Sequence, residues 1–243
     1  MILQQAEVAL MLLALGLYLY DSALLLHINE GVITPRRGGW RLRFGSSHVT
    51  LRGRELYLPS PFLPHRPGFR LLWHLRPGAT DAPDTWEARR KLFRPVAPLV
   101  WAMACALFVL LPLGLFSFLG DWVLLLAVAL LYAGIAGALL WLAMKRKELG
   151  LSARQLGSLA FELVACPPFA VNVVRRVSVE MPLDADLALA ARQLQRPEEW
   201  DATRGELIAR LDEQIDAEDE GSERGALLKE SRRRLAEEKP CPA

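Results

Sequence analysis

The sequence predicts an α-helical integral membrane protein: three transmembrane helices, a small cytoplasmic β-rich loop domain and a helical cytoplasmic C-terminal tail. Two observations carry this. Three long apolar runs interrupt a chain that is otherwise rich in charge, and all 29 Lys and Arg residues fall within positions 36–94 and 145–239, away from those runs.

Hydrophobic residues reach 52% although 23% of the chain is charged, so apolar and charged residues must be segregated. Val8–Ile28 holds one acidic residue, Asp21, while Leu99–Leu119 and Trp122–Met144 hold no charge. At about 1.5 Å rise per residue, each run is long enough for a hydrocarbon core of roughly 30 Å. The runs are apolar all round, which suits lipid better than the core of a soluble protein of this length. The first run lacks a basic leader and a small-residue cleavage pattern, so it reads as a retained helix rather than a signal peptide.

Orientation follows from the basic residues near the membrane ends. Residues 1–7 carry none, the loop 29–94 carries 13 against five acidic residues, and Lys145-Arg146-Lys147 follows the third run. The expected layout is a short external N-terminus (1–7), a first span (8–28), a cytoplasmic β-rich unit (29–80) and an interfacial helix (81–94). Spans at 99–119 and 122–144 then form a hairpin through Gly120-Asp121, and 145–243 is a cytoplasmic helical tail. Leu156–Val174 is apolar but contains Glu162, Pro167, Pro168 and Asn172, which predicts a short interfacial or buried helix ending at the proline pair rather than a fourth span. The Arg bias, 24 Arg to 5 Lys, fits a GC-rich bacterial genome and hence an inner-membrane location.

Within the loop, Trp40–Phe44 alternates apolar with basic, the period of a half-buried strand. Further strands are expected at His48–Arg52, Glu55–Leu58 and Phe69–Leu75, giving three or four in all. Asp84-Thr85-Trp86-Glu87 has the form of a capping box opening a helix whose Trp86 and Phe93 would anchor at the headgroups. In the tail, Ser152-Ala153-Arg154-Gln155 is a second capping box, Asp184 is placed to cap a helix to about Gln195, and Pro197 opens another. From Pro197 onward, acidic residues outnumber basic ones 14 to 8.

Few residues point to chemistry. Asp21, alone within the first run, reads as a proton or ion relay or as a polar clasp to a neighbouring helix, and no basic partner exists in any span. His27 and Glu30, spaced i, i+3, read as interfacial polar residues. The four histidines and three cysteines show no ligand spacing, so no metal and no cofactor is expected. Arg36, Arg37, Arg41, Arg43, Arg89, Arg90 and Lys91 are candidate contacts to anionic lipid headgroups, or serve topology alone. Ala129, Ala133 and Gly137 form a small-residue face for helix packing, as do Gly134 and Ala138. No phosphate-binding loop or nucleophile motif occurs.

The function these features suggest is a non-enzymatic scaffold or accessory subunit that binds a protein partner, or itself, at the cytoplasmic membrane face, in contact with lipid and not with nucleic acid. Two alternatives remain open: an interfacial enzyme on lipid-linked substrates, and a small oligomeric transport component.

Overall fold

The computed structural model describes residues 2–74, 83–116, 120–181, 183, 185–219 and 222–237. It divides into two compact units. The first comprises Met1–Leu24, Leu58–Pro67 and Arg89–Pro182; the second comprises Leu25–Tyr57, Gly68–Ala88 and Leu183–Ala243.

The first unit is helical. Helix α1 runs Ile2–Ser22 and ends there: Ser22 Oγ donates to the Leu19 carbonyl at 2.9 Å, and the next residues turn into strand β1, Leu24–Leu26. The helix thus begins and ends earlier than the span expected at 8–28, and residues 2–7 belong to it. The apolar run Leu24–Leu26 continues the hydropathy of the helix but not its backbone, because short apolar runs fit either structure.

Pro83–Phe116 is a long helical run, built from α2 (Pro83–Leu92), a 3-10 turn at Arg94–Val96, α3 (Ala97–Cys105), a wide π turn at Ala106–Leu110 and α4 (Leu111–Phe116). The π turn has a local cause. Pro112 has no N–H and its ring crowds the carbonyl four residues back, so the preceding turn widens. Helix α5, Gly120–Lys145, returns antiparallel to α3 and α4. Gly134 is needed at this crossing: a Cβ there would lie 2.5 Å from Met103 Cγ. Pro83–Phe116 and Gly120–Lys145 are long and apolar enough to cross a membrane.

Helix α6, Ala153–Ala165, opens with the expected capping box. The Gln155 amide donates to Ser152 Oγ at 3.2 Å and the Ser152 amide donates to Gln155 Oε1 at 2.8 Å. It stops at the proline pair, as the sequence predicts, and α7 (Pro167–Ala170) and α8 (Val173–Glu180) follow. Residues 170–175 are all buried.

The second unit has two three-stranded sheets, more strand than the sequence suggests. One has the order β3-β2-β6, from Gly39–Arg43, Glu30–Arg36 and Phe69–Leu72; the other is β1-β5-β4, with β5 at Arg54–Tyr57 and β4 at Ser46–Leu51. The unforeseen central strand β2 pairs antiparallel on both sides, Val32 opposite Arg43 and Arg70. Arg52 (φ 53°) and Gly53 (φ 75°) both take the left-handed conformation, the two-residue turn that suits a twisted hairpin.

The core of this unit is aromatic. Trp86 is fully buried, its ring 6.0 Å from Trp40 and 5.9 Å from Phe69. The expectation of Trp86 and Phe93 as headgroup anchors is therefore corrected: Phe93 is also buried, 5.8 Å from Trp141 in the first unit. Asp84 lies inside α2, after its first residue Pro83, and is not an N-cap. Helices α9 (Leu187–Leu194), α10 (Pro197–Asp216) and α11 (Glu223–Glu237) complete the unit. Asp184 lies outside the described residues. Asp186 caps α9, Oδ1 accepting from the Ala188 and Leu189 amides and Oδ2 from the His74 amide.

Candidate functional site

The densest buried polar cluster in the first unit surrounds the last turn of α1. Asp21 lies one residue before the end of α1, not near its centre. It accepts from Arg176 Nη1 at 3.4 Å, and the Nη2 of the same guanidinium bonds Glu162 on α6. The basic partner that Asp21 lacks within the apolar runs comes from α8, where sequence order gives no hint of the contact.

A second set of bonds lies beside the first. The Asn172 amide donates to the Tyr18 carbonyl at 3.0 Å, and Arg175 Nη1 donates to Asn172 Oδ1 at 3.4 Å. Arg175 Nη2 reaches the Ser60 carbonyl, and the Tyr18 hydroxyl donates to the Pro61 carbonyl. The proline-rich stretch Pro59–Pro67 is thereby strapped to α1 and α8, with His65 stacked 5.2 Å from Trp101. Burial and the nearby Arg66 and Arg175 charges hold the His65 imidazole below its usual pKa. Burial likewise pushes the Cys166 thiol up, leaving it a poor nucleophile.

Chemically this is a polar clasp. The Arg176 guanidinium joins Asp21 to Glu162, Arg175 is held by Asn172 and the Ser60 carbonyl, and Asp21 Oδ2 has no hydrogen-bond partner among the described residues. A buried arginine needs such partners, since an unpaired buried charge is strongly unfavourable. In the sequence Asn172 and Glu162 stand out only as polar interruptions of an apolar run, and Arg175 and Arg176 do not stand out. The available signal for these two arginines was their presence within Ala170–Val179, a stretch otherwise made almost wholly of apolar residues.

The remaining candidates disperse. His27 and Glu30 are not on a helix: they close a turn entering β2, where Glu30 Oε2 accepts the His27 backbone amide at 2.9 Å and lies 3.9 Å from Arg70 Nε. They belong to the second unit and Asp21 to the first. Arg36 pairs with Glu199 at 3.5 Å; Arg37, Arg41 and Arg43 are exposed. Arg90 and Lys91 are exposed and Arg89 is half-buried. Ala129 and Ala133 are exposed, and Gly137 would bring a Cβ within 3.2 Å of Leu99. The packed small-residue face of α5 is that of Gly134 and Ala138, both buried.

The second unit has its own buried ion pair. Arg210 Nη1 donates to both Glu55 oxygens at 3.0 and 2.9 Å, its Nη2 donates to the Gly45 carbonyl at 3.0 Å, and the guanidinium lies 4.5 Å over the Phe44 ring. Among the described residues, no group of three His, Cys, Asp or Glu side chains is arranged to hold a metal ion. Comparison of the chain with protein-family models, with curated proteins and with solved structures gave no match in any of the three.

Proposed function

We propose that this chain is a non-enzymatic membrane protein, a scaffold or accessory subunit that holds a partner or a second copy of itself at the cytoplasmic face of the inner membrane. In this reading α1, the α3–α4 run and α5 are three spans, with the N-terminus outside and the C-terminus inside. The charge distribution along the sequence supports the orientation. Apolar side chains left exposed along all three helices support the insertion: Leu12 and Leu13 on α1, Val109 and Leu113 on the second run, Leu125 and Leu140 on α5.

The observation that carries the scaffold reading is the commitment of the buried carboxylates. Glu30 is held by a backbone amide, Glu55 by Arg210, Asp186 by three amides, and Asp21, whose side chain is nine-tenths buried, by Arg176. A general acid or base must be free to exchange a proton with a substrate; Glu55 and Asp186 have both oxygens engaged in the fold and Glu30 has one, while Asp21 keeps its buried Oδ2 without a hydrogen-bond partner among the described residues. What is left for interaction is surface. Strand β4 offers some of it, with all six residues exposed at a sheet edge.

The test is chemical crosslinking in native membranes followed by capture of the full chain. A stoichiometric partner, or a crosslinked homo-oligomer, is the expected result. Recovery of the chain as an uncrosslinked monomer across several crosslinker lengths would overturn the proposal.

A further inference from the structure

Four cations of the first unit make no ion pair among the described residues, and they lie at one end of the α3–α5 hairpin. Lys91 and Arg94 lie just before α3; Arg146 and Lys147 follow the last residue of α5. The contact of Phe93 with Trp141 brings the start of the first helix of the hairpin beside the end of the second. At the opposite end, a Cβ on Gly114 would lie 2.8 Å from Leu124 Cγ, and the described residues there, Gly120–Trp122, include no cation.

Lys91, Arg94 and Lys147 are exposed and Arg146 is half-buried. Among the described residues none of the four makes an ion pair, whereas their neighbour Lys145 is held by Glu148 at 2.7 Å. In the second unit Arg204, Arg210, Arg224, Arg232, Arg233 and Arg234 each lie within 4.0 Å of a carboxylate, whereas Arg37, Arg41 and Arg43 are exposed without an ion pair among the described residues. What sets Lys91, Arg94, Arg146 and Lys147 apart is their place together at one end of a helical hairpin beside exposed apolar side chains.

The neighbouring surface says which anion. Trp101, Leu140 and Met144, within about two turns of these cations along their own helices, are 48%, 63% and 67% exposed. An apolar belt that ends in an aromatic residue and a ring of cations matches a leaflet boundary, acyl chains beside phosphates. We propose that Lys91, Arg94, Arg146 and Lys147 form a binding site for the phosphate headgroups of anionic phospholipids. The site rests on the reading of the hairpin as membrane-inserted, and deepens it by naming a lipid class the protein selects.

The full chain is reconstituted in nanodiscs of equimolar phosphatidylglycerol and phosphatidylcholine, released, and its retained lipids are counted by native mass spectrometry. The wild type is expected to retain phosphatidylglycerol at least about tenfold over phosphatidylcholine. The combined change Lys91→Gln, Arg94→Gln, Arg146→Gln and Lys147→Gln abolishes that preference. The pair Lys91→Gln and Arg94→Gln, which keeps Lys145–Lys147 to hold orientation, reduces it about threefold or more. Equal retention of the two lipids by the wild type, or an unchanged preference in both variants, overturns the proposal. Displacement of the bound lipid by excess inorganic phosphate also overturns it, in favour of a free-phosphate site. Alkaline extraction of native membranes separates the two levels: a chain that resists extraction but lacks selectivity loses only the headgroup site, and a chain that is extracted loses the membrane reading as well.

Discussion

The two units of this molecule are made from the same residue types and use them in opposite ways. The second unit buries its large side chains, Trp40, Phe69, Trp86, Trp200 and Leu211 among them, together with the Arg210–Glu55 ion pair. The first unit exposes Leu, Val and Trp along α1, α3, α4 and α5, and its Arg176–Glu162 pair is partly exposed beside the buried Asp21. A water-soluble unit buries apolar surface because that is the main favourable term of its folding. In the membrane reading proposed above, lipid solvation removes the gain from burying leucine, and packing of small residues and internal polar contacts would hold the helices of the first unit together. The difference teaches where each unit is vulnerable.

The largest effect is expected in the second unit. Arg210→Ala leaves the Glu55 carboxylate buried and unpaired, and loss of about 3–5 kcal/mol follows. Thermal unfolding in detergent checks it, and the double change Arg210→Met with Glu55→Leu should recover most of the loss, since apolar groups of similar volume tolerate burial. A single change that shifts the transition no more than a surface substitution would break the comparison at its strongest point.

Next in size is a pair of substitutions on α5. Gly134→Leu forces a side chain into Met103 and should cost about 2 kcal/mol, while Ala129→Leu on the exposed face should stay within about 0.5 kcal/mol. Comparable losses at both positions would show that the Ala129 face is packed in the assembled protein, and so sharpen the contrast by adding an oligomer interface.

The smallest effect is expected at the polar clasp. Arg176 and Glu162 are partly exposed, 25% and 35% by side chain, so solvent screens their pair and Glu162→Gln, which leaves Arg176 facing Asp21, should cost about 1 kcal/mol or less. Asp21→Asn keeps a hydrogen-bonding group facing Arg176 and should assemble normally, as judged by detergent-solubilised mass and thermal transition. A severe assembly defect in Asp21→Asn would assign the carboxylate a role beyond clasping α1 to α8.

Much of this architecture was legible because it depends on neighbours in sequence. The capping box at Ser152, the stop at Pro167-Pro168 and the opening of α10 at Pro197 are local events, fixed by hydrogen bonds and backbone restrictions within a few residues. The alternation in Trp40–Phe44 gave β3 for the same reason, since residue identity alternates with the pleat. The end of α1 was not legible. Leu24–Leu26 is as apolar as the helix before it, and its conversion to strand depends on β5, some thirty residues away.

Sequence alone determined which stretches are apolar and where the charges cluster, because composition and period are properties of the chain itself. Only the tertiary structure decided which charges meet. Arg176 finds Asp21 across 155 residues and Arg210 finds Glu55 across another 155, while Lys91, Arg94, Arg146 and Lys147 find no partner among the described residues. The physical reason is range. A helix or a turn is set by contacts over a few positions, but a charge is satisfied by whatever the fold brings within about 4 Å, and that is a property of packing.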